Sequence, residues 1–304
     1  MEFGKVADAQ LLEIDFTLPP DAAITTDTLS RSKNKQPLQV YVGCASWGQK
    51  VWKGNLFPPK TKDADFLSEY VKHFNMIELN ATHYRMYDAE TITKWKNKAA
   101  TNPGFKFCPK VNQLISHIKR LKGADELTTS FLESMLAFEE KLGPIFLQMS
   151  DNYLPKNFAE LEIYLESLPR DLPIFTELRH RDWFADDAHR NAAFELMQRL
   201  GIGAIITDTA GRRDVIHMAL PTNDAFIRFV GNALHPTDYI RIESWVERIK
   251  QWANQGLRAV YFGMHQSDEV AAPILCDYLI ERLNKELNLS IARPRLQAPA
   301  NELF

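Results

Sequence analysis

Glu177, Arg179 and His180 close a short apolar run in PIFTELRHRDWF, residues 173–184. Side chains two apart on an extended chain share a face, so Phe175, Glu177 and Arg179 point together. A carboxylate and a guanidinium at the end of a buried strand suit proton transfer or capture of an anion, because burial and crowded charge move pKa values. The design recurs along the chain. Other apolar runs end in Ser46 and Trp47, Glu78 and Asn80, Lys110, Gln148, Asp208, Arg228 and His265. Glu78, Lys110, Glu177 and Asp208 form the expected catalytic set, with Glu177 or Glu78 as base and Lys110 as acid or electrostatic stabiliser. Arg179 and Arg228 are expected to clamp an anion. Trp47, Asn80, Tyr84, Gln148 and His180 complete the expected binding set. Plainer roles stand beside these: carboxylates bracing an interior, Lys110 ion-paired with a glutamate, Gln148 bridging backbone, Arg228 neutralising Asp208. Trp47, Trp52, Tyr84 and Trp183 are either loop anchors or a stacking wall for a planar or sugar ring. So many strand ends carrying polar groups favour a ligand pocket.

The elements that must position these residues alternate regularly. Apolar runs at 39–46, 76–80, 105–110, 145–149, 173–177, 204–208, 225–230 and 259–264 read as strands. Nearly every one is followed by a helical stripe, such as Phe66, Leu67, Tyr70, Val71 and Phe74, or Ile242, Trp245, Val246, Ile249 and Trp252. Asp88 is an expected N-cap, and residues 209–224 show no clear helix. Strands apolar on both faces imply a parallel sheet covered by helices. Eight units in about 250 residues imply an α/β chain with a single (β/α)8 TIM-type barrel over 38–287. An irregular extension, 1–37, precedes it and a Pro-rich tail, 288–304, follows. The extension is expected to be mobile or strap-like, or an arm over the site or a partner, with Arg31, Lys33 and Lys35 as its basic cluster. An open dinucleotide-binding sheet is disfavoured, since the first strand runs into G-C-A-S-W-G in place of G-x-G-x-x-G.

Composition narrows the classes. The 304 residues are 45% hydrophobic and 25% charged, with a net charge of −3. Nothing there pulls the chain as a whole to nucleic acid, though a nucleic-acid end bound locally is not excluded. No apolar run approaches a membrane span, and no signal peptide is evident, so a cytoplasmic setting is expected. Cys44, Cys108 and Cys276 are widely spaced, which suits a reducing compartment and not a thiolate zinc cage. Zinc-protease, nucleophile-elbow and P-loop motifs are absent. The pattern requires no cofactor. A divalent metal on Glu177, Asp208 and a histidine is one arrangement the residues allow. Gly211-Arg212-Arg213 and Val230-Gly231-Asn232 offer weak phosphate-binding turns, and His117, His189 and His217 read as surface or packing residues. The expected ligand is a small polar or phosphate-bearing molecule, either converted or only bound.

Joined in order, several segments resemble one family. They are G-x-x-x-W at 43–47, W-K-G-x-x-F-P-P at 52–59, F-N-x-I-E-L-N at 74–80, and Y-R at 84–85. F-K-F-x-x-K at 105–110, I-S-H at 115–117, L-G-P-I-F-L-Q at 142–148 and E-L-R-H-x-x-W-F at 177–184 continue the series. This pattern resembles the YecE-like family, domain of unknown function seventy-two, over about 40–283. The resemblance implies a TIM-type barrel and no established activity. Two positions depart from it. The family reads R-x-H-G at strand seven, where Val230 stands here, and ends its last strand in paired asparagines, where Met264-His265 stands. Either the function of that histidine is lost here, or His235 or His265 substitutes for it.

Overall fold

The computed structural model describes residues 4–32, 34, 36–266 and 269–296. Lys33, Lys35 and the end of the tail lie outside them. The strands are β1 (Gln39–Cys44), β2 (Met76–Leu79), β3 (Lys106–Pro109), β4 (Ile145–Gln148), β5 (Ile174–Glu177), β6 (Gly203–Asp208), β7 (Asp224–Val230) and β8 (Ala259–His265). The helices are α1 (Ala23–Ser30), α2 (Phe66–Tyr70), α3 (Ala81–Tyr84), α4 (Ala89–Lys98), α5 (Asp125–Met135), α6 (Phe158–Ser167), α7 (Asp182–Ala185), α8 (Asp187–Leu200), α9 (Pro236–Asn254) and α10 (Ala271–Leu287). Local chemistry sets their ends. Asp88 and Asp186 accept the Thr91 and His189 amides to start α4 and α8, and Gly201 stops α8 at φ 67°. The stretch at 209–224 contains a 3-10 turn, Ala210–Val215.

Every strand pairing is parallel. Six strands form one sheet in the order β1-β8-β7-β6-β5-β4, and β2 pairs with β3. Isolated bridges, Phe107 with Leu142 and Lys110 with Phe146, lie between β3 and β4. Between β1 and β2 no backbone ladder forms, and side chains stand in for it. Asn75 accepts the Val42 amide at 2.7 Å and donates to the Val40 carbonyl at 2.8 Å. The Tyr70 hydroxyl accepts the Cys44 amide at 2.7 Å and donates to the Met76 carbonyl at 2.9 Å. The hydrogen-bonded ladder is therefore interrupted, and a continuous eight-stranded ring of backbone pairs is not what the chain forms. Gly43 shows how close this seam is: a Cβ there would fall 1.9 Å from the Met76 carbonyl oxygen. Asn75→Leu leaves a buried amide and carbonyl unpaired. We expect a loss of about 2–4 kcal/mol, read as a lower urea midpoint at unchanged slope; an unaltered midpoint would show that the seam holds without Asn75.

The interior divides by strand parity. Met76, Cys108, Phe146, Phe175, Ile205, Phe226, Ala259 and Tyr261 form a compact inner cluster, with Tyr41 packed against it. The intervening residues, such as Leu147, Ile206, Phe229 and Met264, belong to the larger core shared with the helices. Advancing two residues from each inner apolar position gives Glu78, Lys110, Gln148, Glu177, Thr207, Arg228 and Gly263. Their side chains form the next level up the strands, at the C-terminal ends.

The described part of the N-terminal extension is a strap against one flank. Leu11 and Leu29 are buried. Thr25 donates to the Met218 carbonyl at 2.6 Å and accepts the Leu220 amide at 2.8 Å. Asp21 takes Arg248 at 2.6 Å and the Trp252 indole at 3.0 Å. Phe16 lies beneath Arg213 and Arg241, 5.4 and 5.1 Å from its ring centre. Gly4 accepts the Gly211 amide at 2.8 Å, which brings the strap to the loop after β6. No helix among the described residues is long and apolar enough to cross a membrane.

Candidate functional site

Arg228 is the hub. From β7 it donates Nε and Nη2 to the two oxygens of Glu78 at 3.0 and 2.8 Å, and Nη1 to Glu177 Oε2 at 2.8 Å. All three side chains are buried, at 1% exposure or less. One guanidinium thus spans β2 and β5, which are far apart in sequence. Gly263 makes room, for a Cβ there would meet Glu78 Oε2 at 2.8 Å. Asn80 adds a bond to Glu78 Oε1 at 3.0 Å, and His265 Nε2 lies 2.8 Å from Oε2. On the other side, Glu177 accepts Gln148 Nε2 and the Thr207 hydroxyl, both at 2.7 Å, with Arg179 Nε at 3.3 Å. Gln148 Oε1 then accepts Lys110 Nζ at 2.6 Å and Arg179 Nη1 at 3.2 Å. Glu78, Asn80, Lys110, Gln148, Glu177, Arg179, Arg228 and His265 are therefore one hydrogen-bonded group.

The charges of this group are unevenly settled. Burial alone would raise Glu177, but Arg228 and Arg179 hold it at about 2. Burial likewise opposes ionisation of Glu78, and Arg228 with His265 outweighs it, well below the carboxylate range. Both carboxylates are anions with their oxygens occupied, which makes them weak bases, contrary to the role expected from sequence. Burial holds His265 below its usual range, so its ring is neutral at pH 7 and Nε2–H is the donor to Glu78. Lys110 is the exception. Burial and the Arg228 charge bring its amine down to about 7. Its partner is a neutral amide oxygen, not a carboxylate. Hence it changes charge at physiological pH.

Other expected members lie elsewhere. Asp208 faces outward from β6, where Arg241 Nη2 reaches it at 3.0 Å, the Trp245 indole at 2.7 Å, and Arg213 closes the pair. It has no contact with Glu177 or Arg228, so the arrangement pairing Arg228 with Asp208 is corrected. The reason is parity: Thr207, not Asp208, shares the inward face with Ile205. His180 turns away as well, its Nδ1 accepting the Asp182 amide at 3.2 Å. His235 caps α9 through Thr237, whereas His265 stands in register beside Val230. Trp52 and Trp183 are fully buried loop anchors bonded to the Glu269 and Tyr153 carbonyls, and Trp47 packs edge-on against Trp95 at 5.2 Å. Only Tyr84 of that group is well exposed, at 71%.

His83 and Thr207 are not marked by the sequence pattern, and of the surface and packing alternatives for His117 the structure shows packing. His117 is half-buried and meets His83 edge-on, 4.8 Å between ring centres. Burial and the Lys110 charge lower both to about 4. Inward parity would have found Thr207. Nothing in T-H-Y or I-S-H marks the histidines. The turns considered for phosphate have their amides occupied: Gly211 by Gly4, Gly231 by His265, Asn232 by Asp238. Among the described residues no three His, Cys, Asp or Glu side chains gather to hold a metal, and Glu177 and Asp208 are parted by strand parity. Two cavities of about 500 and 440 Å³ lie at the opposite strand ends, around Leu38 and Leu289.

Parallel strands that deliver acids, an amine and guanidinium groups to one end define an α/β protein with a candidate site at the strand C-termini. The chain belongs to the family described as "Protein of unknown function DUF72", which it matches over residues 41–300. It is 27% identical over 266 residues to the UPF0759 protein YecE of Escherichia coli (strain K12), 82% of this chain and 94% of that one. It is 27% identical over 154 residues to the UPF0759 protein YunF of Bacillus subtilis (strain 168), 48% of this chain and 52% of that one. Solved DUF72 family proteins resemble it in fold. That of Enterococcus faecalis V583 has a TM-score of 0.67 at 20% identity, over 86% of this chain and 100% of that one. That of Thermotoga maritima MSB8 has a TM-score of 0.65 at 22% identity, over 83% and 100%.

Proposed function

We propose that the strands work as one ring of (β/α)8 type, and that its C-terminal mouth performs acid/base chemistry on a small anionic substrate, phosphorylated or carboxylated, in the cytoplasm. The ring reading is supported by the inner apolar cluster, to which each strand contributes, and by the side chains closing the β1–β2 seam. The three buried free thiols favour a reducing compartment. For the chemistry, the observation that carries most is Lys110 Nζ on Gln148 Oε1, with Arg179 on the same oxygen and both carboxylates engaged by Arg228. Lys110 is the proton carrier. Arg179 is the anion clamp, and Arg228, Glu78 and Glu177 fix the frame. Asp208 takes a positioning role, holding α9 and the rim through Arg241 and Arg213.

A second reading, binding without conversion, is favoured by how completely the cluster satisfies itself. Inorganic phosphate in a thermal-shift titration separates the parts. It should raise the melting temperature of the native protein, and Arg179→Met should lose about tenfold or more in affinity. Small phosphorylated and carboxylated metabolites then test turnover. Conversion lost in Lys110→Met with phosphate binding retained supports acid/base chemistry. Ligands that stabilise the protein and emerge unchanged favour binding alone.

A further inference from the structure

We propose that Lys110 is also a covalent nucleophile, forming an imine with a ketone or aldehyde that carries an anionic group. This rests on the reading of the mouth as an anion-binding acid/base site. Lys110 is 7% exposed, and among the described residues no carboxylate lies within ion-pair distance of it. Its hydrogen-bond partner, Gln148 Oε1, is neutral and shared with Arg179. A primary amine held this way presents a lone pair, and the lowering of its pKa to about 7 by burial and Arg228 keeps a large share of it unprotonated at neutral pH. A lysine serving only to balance Glu78 or Glu177 would contact them. Here Arg228 fills that role, and Gln148 stands between Lys110 and Glu177. Arg179 donates to the same amide oxygen as Nζ, so an anion bound by Arg179 would lie beside the amine.

The step balances without an oxidant. The Nζ lone pair forms a C–N bond as the carbonyl π bond opens onto oxygen. One ammonium proton passes to that oxygen, a proton from water lets it leave as water while the nitrogen lone pair closes C=N, and the remaining N–H proton returns to the hydroxide so formed. What remains is C=N, one molecule of water having been released for each carbonyl consumed. In the imine the former carbonyl carbon is electrophilic and its neighbour acidified, which gives access to proton abstraction or carbon–carbon cleavage at that neighbour.

The test uses the full chain with dihydroxyacetone phosphate, pyruvate and uncharged dihydroxyacetone, each with sodium borohydride, whose hydride reduces an imine to a stable secondary amine. Peptide mass mapping reads the site. Lys110 should carry the adduct from the two anionic probes at pH 7, about tenfold over dihydroxyacetone, and Arg179→Met should erase that preference. Lys110→Arg, which keeps the charge, should show none. Adducts spread evenly over surface lysines, or absent from Lys110 with every probe, overturn the proposal. Acetic anhydride labelling against pH separates this failure from that of the parent reading. Lys110 reactivity rising near pH 7 without an imine leaves the acid/base site standing. A rise only near pH 10 removes both.

Discussion

Lys110→Met should be more stable than the native protein at pH 6.5, by about 4–8 °C in melting temperature, while losing turnover. The native amine titrates at about 7 when folded and near 10.4 when unfolded. Below pH 7 both states bind the proton, and folding carries the whole penalty of burying the charge, on the order of 4 kcal/mol at its limit. Between pH 7 and about 10 the unfolded chain binds more protons, so native stability rises with pH. Above that range the penalty is gone. Methionine fills a similar volume with no charge, and Gln148 Oε1 keeps Arg179 as a donor. The advantage of the variant should therefore fade as pH climbs to 10. Thermal unfolding of both proteins from pH 6 to 10 checks this, and a variant less stable throughout would mean that the amine is not a buried liability. Proton transfer by a placed group contributes about 10²–10⁴-fold, which sets the expected loss of rate.

Arg228→Met should have the opposite sign and a comparable size. Removing the guanidinium strands two carboxylates at 1% exposure or less, and breaking a buried pair from one side costs about 3–5 kcal/mol. In the native protein Glu177, held at about 2, contributes stability above its unfolded pKa near 4.3, and this is lost as pH falls through 2. Glu78 acts in the same direction. Without Arg228, burial dominates and both carboxyls take up protons at higher pH. The deficit of the variant should be largest at pH 7 and narrow toward pH 4. Urea midpoints at the two values decide it. A deficit independent of pH would locate the damage in packing, through the stacking of Arg228 over Phe146 at 5.7 Å, and not in stranded charge.

The alternation of apolar runs and helical stripes was legible because strand burial writes itself as uninterrupted apolar sequence, and the strand ends could be read within a residue or two. The inward set was legible too, from the step of two that links Phe175 to Glu177 and Phe146 to Gln148. What escaped was which way the last residue of a strand faces. Asp208 and His180 looked equivalent to Glu177 by position, yet each is one residue out of phase with the inner face. Asp208 meets Trp245 and Arg241 of a helix that begins 28 positions later, a partner that no local pattern specifies. The seam was hidden for another reason. Asn75 precedes β2 inside the F-N-x-I-E-L-N segment, and its two backbone bonds depend on a strand more than thirty residues earlier. A strap was one of the expectations for the extension, but its seat was unreadable, since weak periodicity in residues 4–30 conceals contacts made mostly through single side chains such as Thr25 and Asp21.

That seam makes one boundary between strands depend on rotamers where its neighbours depend on ladders. A ladder opens only when several pairs part together, but a single χ rotation of Asn75 or Tyr70 frees one main-chain group at a time. Deuterium should therefore reach the Val42 and Cys44 amides through small local fluctuations, while those shared by β7 and β8 wait for the whole domain to unfold.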